Sequence, residues 1–524
     1  MKSIIKVIAL ILAISSIAVL FTGCGDREGN KAGEGNTAKD IKIGYLNQGY
    51  GSDWIEQTIE RFEKAYPEYN VELLMSPTQD GVTPAWGQAD IDNTDLYVAN
   101  LIGLDKKYFE PLDDVLTLTG KGDSRTIGER VSQKTWNAQK SSDGKVYSLT
   151  AITSGNLAMI YNKAIFKKYN IPNTPRTTNE LAVVSDTLSS QGMPATCHYK
   201  GQGQWGIARY VFYAQYDGYD YYVNNFLKVK NLKGESPSID VFLAKDGKYE
   251  TLKAFETFLT PDYILPGSNS DSHTVVQTKL VQGKVAMMYN GGWVENETKS
   301  AGKMDDFGVF HLPVISTITK KLTTVKSEVD LRNVISAIDT VISNEKTAND
   351  YKAGNAYKVN GKTVSAADWD KLMEARTIGY GGGGTGSFFI PTYSTAKDAA
   401  KLFISYALSD ENAKAIADNQ HYQMFVLDYN NLDFEVDTSK WTSLGREFYE
   451  DAKGYQYFVG HSLPDSHPMF TESSADMTGY ISITTSYTSQ NPKDRLTADQ
   501  IWDKYTGIVN QHFLMTWLAN VTTE

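Results

Sequence analysis

The stretch IKIGYLNQGYGSDWIEQTIERFEKAYPEYNVELL, residues 41–74, changes its apolar period twice. Ile41, Ile43 and Tyr45 alternate with the two-residue period of a strand. Ile55, Ile59, Phe62 and Tyr66 then recur at the spacing of one helix face, and Val71, Leu73 and Met75 alternate again. Asp53 with Glu56 three residues on marks a helix start, and Pro67 stops the run. Strand, helix and strand at this spacing predict a βαβ unit, and so an α/β lobe with a mainly parallel sheet. The loop 47–54 follows the carboxyl end of the first strand, the place where open α/β sheets bind ligands.

The chain around this unit has 524 residues, too many for one ordinary core, which predicts two lobes or more. A hydrophobic fraction of 41% excludes a largely disordered protein. Two cysteines exclude a disulfide framework and a cysteine-rich zinc protein. A formal charge of -11 argues against nucleic acid as a partner, because phosphate backbones recruit an excess of Lys and Arg. Aromatics reach 12%, with 32 Tyr and 9 Trp, a composition suited to recognising flat apolar ring faces.

The N-terminus, MKSIIKVIALILAISSIAVLFTGC, places Lys2 and Lys6 ahead of an apolar run from Val7 to Phe21. That run is shorter than the roughly 20 residues a membrane-spanning helix needs, so it reads as a secretion signal. Phe21-Thr22-Gly23-Cys24 resembles the bacterial lipobox, whose cysteine is lipidated and becomes the new N-terminus; Leu20 stands one place ahead of the usual leucine. The reading is a signal peptide over 1–23, lipidation at Cys24, and a Gly-rich flexible tether over 24–39. The expected location is the extracellular face of the cell membrane, held by acyl chains.

Four blocks of sequence carry a family resemblance. Residues 41–74 look like the opening of extracellular solute-binding proteins of bacterial ABC importers, particularly the carbohydrate-binding group typified by maltose-binding protein. Gly144-Lys145-Val146-Tyr147 through Tyr161-Asn162-Lys163 resembles that family's GK-Y … YNK segment, without its usual following proline. Gly283-Lys284 through Ala286-Met287 and on to Gly292-Trp293 resembles its GkaAM … G-W segment. Residues 394–417 resemble its late amphipathic helix. The resemblance implies a two-lobe, periplasmic-binding-protein-like α/β fold with three hinge crossings, expected near 151–154, 309–314 and 389–394. Lobe one would hold 40–151 and 312–390, with a polar insertion over 316–380; lobe two would hold 153–310 and 395–524. A closing helix is expected within 497–518, from Ile501, Tyr505, Ile508 and Phe513.

The resemblance implies a sugar ligand, and a sugar site needs aromatic platforms beside amides, carboxylates and hydroxyls. Trp293 matches the family tryptophan that stacks on sugar. From the first loop, Gln48 and Tyr50 offer an amide and a ring, while Asp53 and Trp54 read as helix cap and packing. Asn100 follows a strand-like 95–99, and Ser154 and Asn156 fall at the first crossing. Trp205 and Tyr216 are chosen from the aromatic stretch 201–222, and Tyr380 from the edge of the glycine run 381–384. No phosphate loop follows that run, and Asp90, Asp92 and Asp95 lack the glycine and glutamate of a calcium loop.

Catalytic patterns are missing: there is no G-x-S-x-G and no H-E-x-x-H. Cys197 adjoins His198 only along the chain, and His461 and His467 flank a Pro-containing loop. The expectation is a monomeric binding protein, not an enzyme, with no catalytic residue, metal or cofactor. Its partners would be a carbohydrate and the transmembrane permease subunits of an ABC transporter. The same fold binding a peptide, polyamine or metal chelate, a surface lipoprotein without transport, and a glycan-degrading enzyme are the alternatives.

Overall fold

The computed structural model describes residues 39–77, 93–99, 106–131, 143–153, 156–199, 203–228, 230–235, 238–381, 386–419, 424–425, 427, 433–459, 487–489 and 491–512. These belong to one compact unit spanning 38–524. Numbered along the chain, the strands of the first sheet are β1 (Asp40–Leu46), β2 (Asn70–Ser76), β3 (Leu96–Ala99), β4 (Leu149–Thr153), β12 (Gly386–Phe389) and β13 (Met424–Phe425). Those of the second are β5 (Asn156–Asn162), β6 (Met287–Gly291), β7 (Phe307–Phe310), β11 (Ile378–Gly381) and β14 (Tyr457–Val459). A small antiparallel sheet holds β8 (Lys352–Ala353), β9 (Ala356–Val359) and β10 (Lys362–Ser365).

The βαβ unit forms where its periodicity predicts. β1 and β2 pair in parallel from Asp40 opposite Asn70 to Leu46 opposite Ser76. The helix Asp53–Ala65 between them buries Trp54, Ile55, Ile59 and Phe62, the stripe left by a 3.6-residue repeat. β3 adds in parallel on the other edge of β1. The rest of the sheet, in the order β13-β4-β12-β3-β1-β2, is antiparallel, so it is mixed rather than mainly parallel. The reason is topological: β4 runs out towards the second lobe, whereas β12 runs back in beside it.

Core packing moves two of the expected lobe boundaries. Residues 312–381, expected in lobe one, lie in lobe two. The inserted helix Glu328–Ile342 and the helix Ala366–Thr377 put Leu331, Ile335, Ile338, Trp369 and Leu372 into the same core as Leu157 and Met159 of β5. Asp339 fixes that placement between Arg176 (2.9 Å) and Arg376 (2.7 Å). The helices Lys397–Ala407 and Asp410–Asn419, expected in lobe two, pack on lobe one, where Phe403 and Tyr406 close around Phe62 at 5.2 and 5.7 Å between ring centroids. Each such aromatic pair contributes about 0.5–1.5 kcal/mol beyond its buried area. The chain therefore changes sheet between Thr153 and Asn156, between Gly381 and Gly386, and again between Leu427 and Trp441; no change occurs at 309–314.

Lobe two is covered on both faces. Along β5, Leu157 and Met159 face the core holding Trp205, Phe212 and Phe255, while Ala158 and Ile160 face Val276, Leu280 and Phe448. That alternation is the period of a strand buried on both sides. The helix Ala498–His512 closes this lobe through Ile501 and Tyr505, and Ile508 turns outward. Phe513, Cys24, the tether, Asn100, Ser154, Asp90, Asp92, His461 and His467 lie outside the described residues.

Candidate ligand cleft

The two lobes meet where the first loop of lobe one faces the turn after β6 of lobe two. β6 is buried along its whole length and ends at Gly291, so the residue two places on emerges at the sheet edge. That residue is Trp293. It is partly buried and packs against buried clusters of both lobes. Its ring folds back over Gly291: a Cβ there would lie 2.2 Å from Trp293 Cζ3, so only glycine leaves room. Tyr50, itself buried, meets the indole edge-on, with centroids 6.2 Å apart and planes at 80°.

Backbone and side chain complete the contact. Asn296 Nδ2 donates to the Gly49 carbonyl at 2.9 Å. A Cβ at Gly49 would stand 3.0 Å from Glu297 Oε1 and 3.3 Å from Trp293 Cβ, and Gly51 has φ +67, the left-handed region. Within lobe one, the loop is pinned from below: Trp54 Nε1 donates to Tyr45 Oη at 3.0 Å, and that hydroxyl donates to the Gly51 carbonyl. Trp54 thus packs as expected. Ser52, rather than Asp53, occupies the helix N-cap position, and its side chain makes no cap bond.

Glu297 is the titratable group of this contact. Burial pushes its carboxyl pKa up, against a hydrogen bond from Gln277 and the nearby His273, which lower it. Its Oε2 is buried and has no hydrogen-bond partner among the described residues. Tyr199 beside it is pushed up to about 12, chiefly by burial and then by the Glu297 charge.

The remaining candidates separate. Gln48 is exposed on the loop, and its carbonyl accepts from Gly51 N at 2.8 Å. Asn156 opens β5 opposite Gly381, at the first change of sheet. Tyr380, one residue before the second change of sheet, is buried in the lobe-two core and is paired with Leu157. Trp205 is in the core too, stacked on Tyr289 at 5.9 Å and 26°. Tyr216 lies at the end of the helix Gly203–Asp217, under Lys321 Nζ at 4.9 Å, and burial with the Glu250 and Asp217 charges pushes its pKa up to about 12. Of the aromatics proposed from sequence, Trp293 and Tyr50 come together between the lobes, while Trp205, Tyr216 and Tyr380 pack within one lobe. Asn296 and Glu297 were not anticipated; the polar run Glu295-Asn296-Glu297 directly after Trp293 was the available signal.

The structure supplies no catalytic grouping at these places. Cys197 is buried, which pushes its thiol far above the ordinary range, and burial lowers His198 to about 4. Asp95 is buried and ties the start of β3 to β1 and to later chain, accepting from Lys42 N at 3.1 Å and Ser394 Oγ at 2.9 Å. Among the described residues no cluster of three metal-ligating groups occurs, and no helix is long and apolar enough to cross a membrane. A solvent-open depression of about 700 Å³ lies on the return crossing between Lys414 and Arg446, apart from the aromatics.

Two α/β lobes joined by three crossings, with aromatic and amide groups meeting between them, define a two-lobed solute-binding protein. The chain belongs to the family of bacterial extracellular solute-binding proteins, whose model matches residues 48–414. A Brucella abortus (strain 2308) protein named as a binding protein is 28% identical over 173 residues, 33% of this chain and 38% of its own length. The match thus spans well under half of that relative. Among solved structures, a chitin oligosaccharide binding protein superposes with a TM-score of 0.57 at 14% identity, covering 90% of this chain and 98% of the other. A manno-oligosaccharide specific solute binding protein from Bifidobacterium animalis subsp. lactis, in complex with mannotriose, gives 0.52 at 15% identity, covering 91% and 96%.

Proposed function

We propose that this extracellular solute-binding protein takes a carbohydrate, an oligosaccharide in particular, and delivers it to the permease of an ABC importer. The observation that carries the reading is the Trp293–Tyr50 pair, one ring from each lobe, at the point where the lobes meet. A sugar presents apolar C–H faces that such rings cover, and hydroxyls that Asn296, Glu297 and Gln48 can hydrogen-bond. The sugar ligands named for the two similar structures support the class. A ligand touching both lobes when closed and one when open shifts the equilibrium towards closure, and the permease reads the closed form. In this reading the ligand is released unchanged, and Trp293, Tyr50, Asn296 and Glu297 serve to bind it. Lipidation at Cys24 after removal of 1–23 would hold the domain at the outer face of the membrane.

Calorimetric titration of residues 38–524 with mono- and oligosaccharides tests the ligand class. Micromolar or tighter binding of one sugar, weakened by Trp293→Ala, is the expected result. Heat that survives the substitution moves the platform elsewhere. No heat from any sugar overturns the carbohydrate reading in favour of a non-sugar solute, and the family assignment stands either way.

A further inference from the structure

Between Phe226 and Phe242, both in the lobe-two core, the chain makes a tight turn over 230–235. Leu232 stands in that turn with 83% of its surface exposed, the most of any large apolar side chain among the described residues. Lys228, Lys230 and Lys233, all exposed, flank it along the chain. We propose that this turn is a membrane-contact site, in which Leu232 enters the headgroup layer of an anionic bilayer and the three lysines meet its phosphates.

The turn is fixed from beneath by two asparagines. Asn231 is buried, and its Oδ1 accepts from Lys233 N and Glu235 N, both at 3.0 Å. Asn225 Nδ2 donates to the carbonyls of Lys230 at 3.0 Å and Asn231 at 3.1 Å. Gly234 takes φ +90, a conformation that glycine adopts freely. So braced, the turn holds Leu232 out in solvent instead of letting it fold back on the lobe. The acids beside it face the base: Asn231 Nδ2 donates to Glu235 Oε2 at 2.5 Å and to Asp240 Oδ2 at 3.4 Å. Lys228 Nζ donates to the neutral amide of Asn224 at 2.6 Å and keeps its charge. A protein interface is built on a contiguous apolar patch, whereas one strongly exposed aliphatic side chain among cations suits a fluid lipid surface. The whole chain is acidic, with a formal charge of -11. At about 0.1 M salt, charges more than about 10 Å from the bilayer are screened, so the lysines of the turn govern the contact. Lipidation at Cys24 would hold the domain at one point, and the turn would add a second that sets which face looks at the membrane. The inference itself requires neither that anchor nor any ligand.

The test uses residues 38–524, the compact unit, which carries the turn without Cys24, so that vesicle binding is the surface's own. Sedimentation with vesicles of equal phosphatidylglycerol and phosphatidylcholine is compared with phosphatidylcholine alone, at about 0.1 M salt. Expected is binding to the anionic vesicles only. Leu232→Ser should weaken it roughly tenfold, and Lys230→Gln and Lys233→Gln roughly fivefold each. Leu232→Cys carrying an environment-sensitive dye should shift to the blue on the anionic vesicles, while Cys197, being buried, stays unlabelled. Thermal melting checks that each variant is folded. Absence of binding to anionic lipid overturns the proposal. So does binding that survives Leu232→Ser with a dye that stays in water, since the lysines are then attracting a polyanion without insertion. Leu232-dependent binding that appears only on vesicles carrying membrane proteins also overturns it and assigns the turn a protein partner.

Discussion

The two sides of the cleft meet each other with different chemistry. Lobe one offers chiefly main chain, the Gly49 carbonyl and the bare backbone of Gly49 and Gly51, with the single ring of Tyr50. Lobe two offers side chains: the indole of Trp293, the amide of Asn296 and the carboxyl of Glu297. A backbone surface is fixed by conformation, and its supports lie below it in Tyr45 and Trp54. A side-chain surface can be retuned residue by residue. The template is therefore on lobe one and the adjustable face on lobe two.

The sharpest way to break this comparison is to loosen the template from a distance. Arg130, fully buried, pairs with Asp123 at 2.6 Å and with Asp410 at 2.9 Å, at the start of the helix packed against Asp53–Ala65. Arg130→Ala leaves the Asp123 carboxyl buried without its cation and should cost about 3–5 kcal/mol of lobe-one stability in denaturant titration. A second transition, from lobe two, should keep its midpoint. Next comes the adjustable face: Trp293→Ala should weaken ligand binding by roughly 30-fold or more, as loss of an anchoring aromatic does. Smaller again is Gly51→Val, which puts a β-branched residue at φ +67. It should cost about 1–2 kcal/mol, disturb the loop and press on Asn296, whose Nδ2 a Cβ at Gly51 would meet at 3.2 Å.

The smallest effect expected is on pH. Burial raises the Glu297 pKa, so the folded chain holds this proton more tightly than an unfolded carboxyl would. The folded state is then favoured as pH falls through the raised value and loses that advantage as pH rises through it. The other titratable groups facing it, His273 and Tyr199, act in known directions: protonated His273 favours the charged carboxylate, and Tyr199 stays neutral across this range. Thermal melting between about pH 4 and 8 should show the wild type losing stability relative to Glu297→Gln as pH rises.

What could be read in advance follows the same division between local and distant. The βαβ unit needs only neighbouring residues, and its strand, helix and strand fall where their periods put them. Trp293 was legible through the GkaAM … G-W resemblance, two places beyond the end of the buried strand β6. The second sheet draws β5, β6, β11 and β14 from segments up to three hundred residues apart, and no local period records that β11 belongs beside β5. For the same reason the 316–380 segment was placed on the wrong lobe: its amphipathic helix declares an apolar face but not the core that receives it. Trp205, Tyr216 and Tyr380 show the converse limit. An aromatic-rich helix serves a core as readily as a cleft, and only packing separates the two.

Cys197 gives lobe two an internal clock. Its thiol is buried, with its pKa raised far above neutrality, in the core that also holds Val276, Leu280 and Phe448. A thiol reagent can reach it only when that core parts, so its labelling rate counts local unfolding of lobe two and ignores swings of the lobes about their crossings. Measured in Arg130→Ala, that rate should stay constant while lobe one loses stability. One native sulfur atom thereby distinguishes a lobe that moves from a lobe that melts.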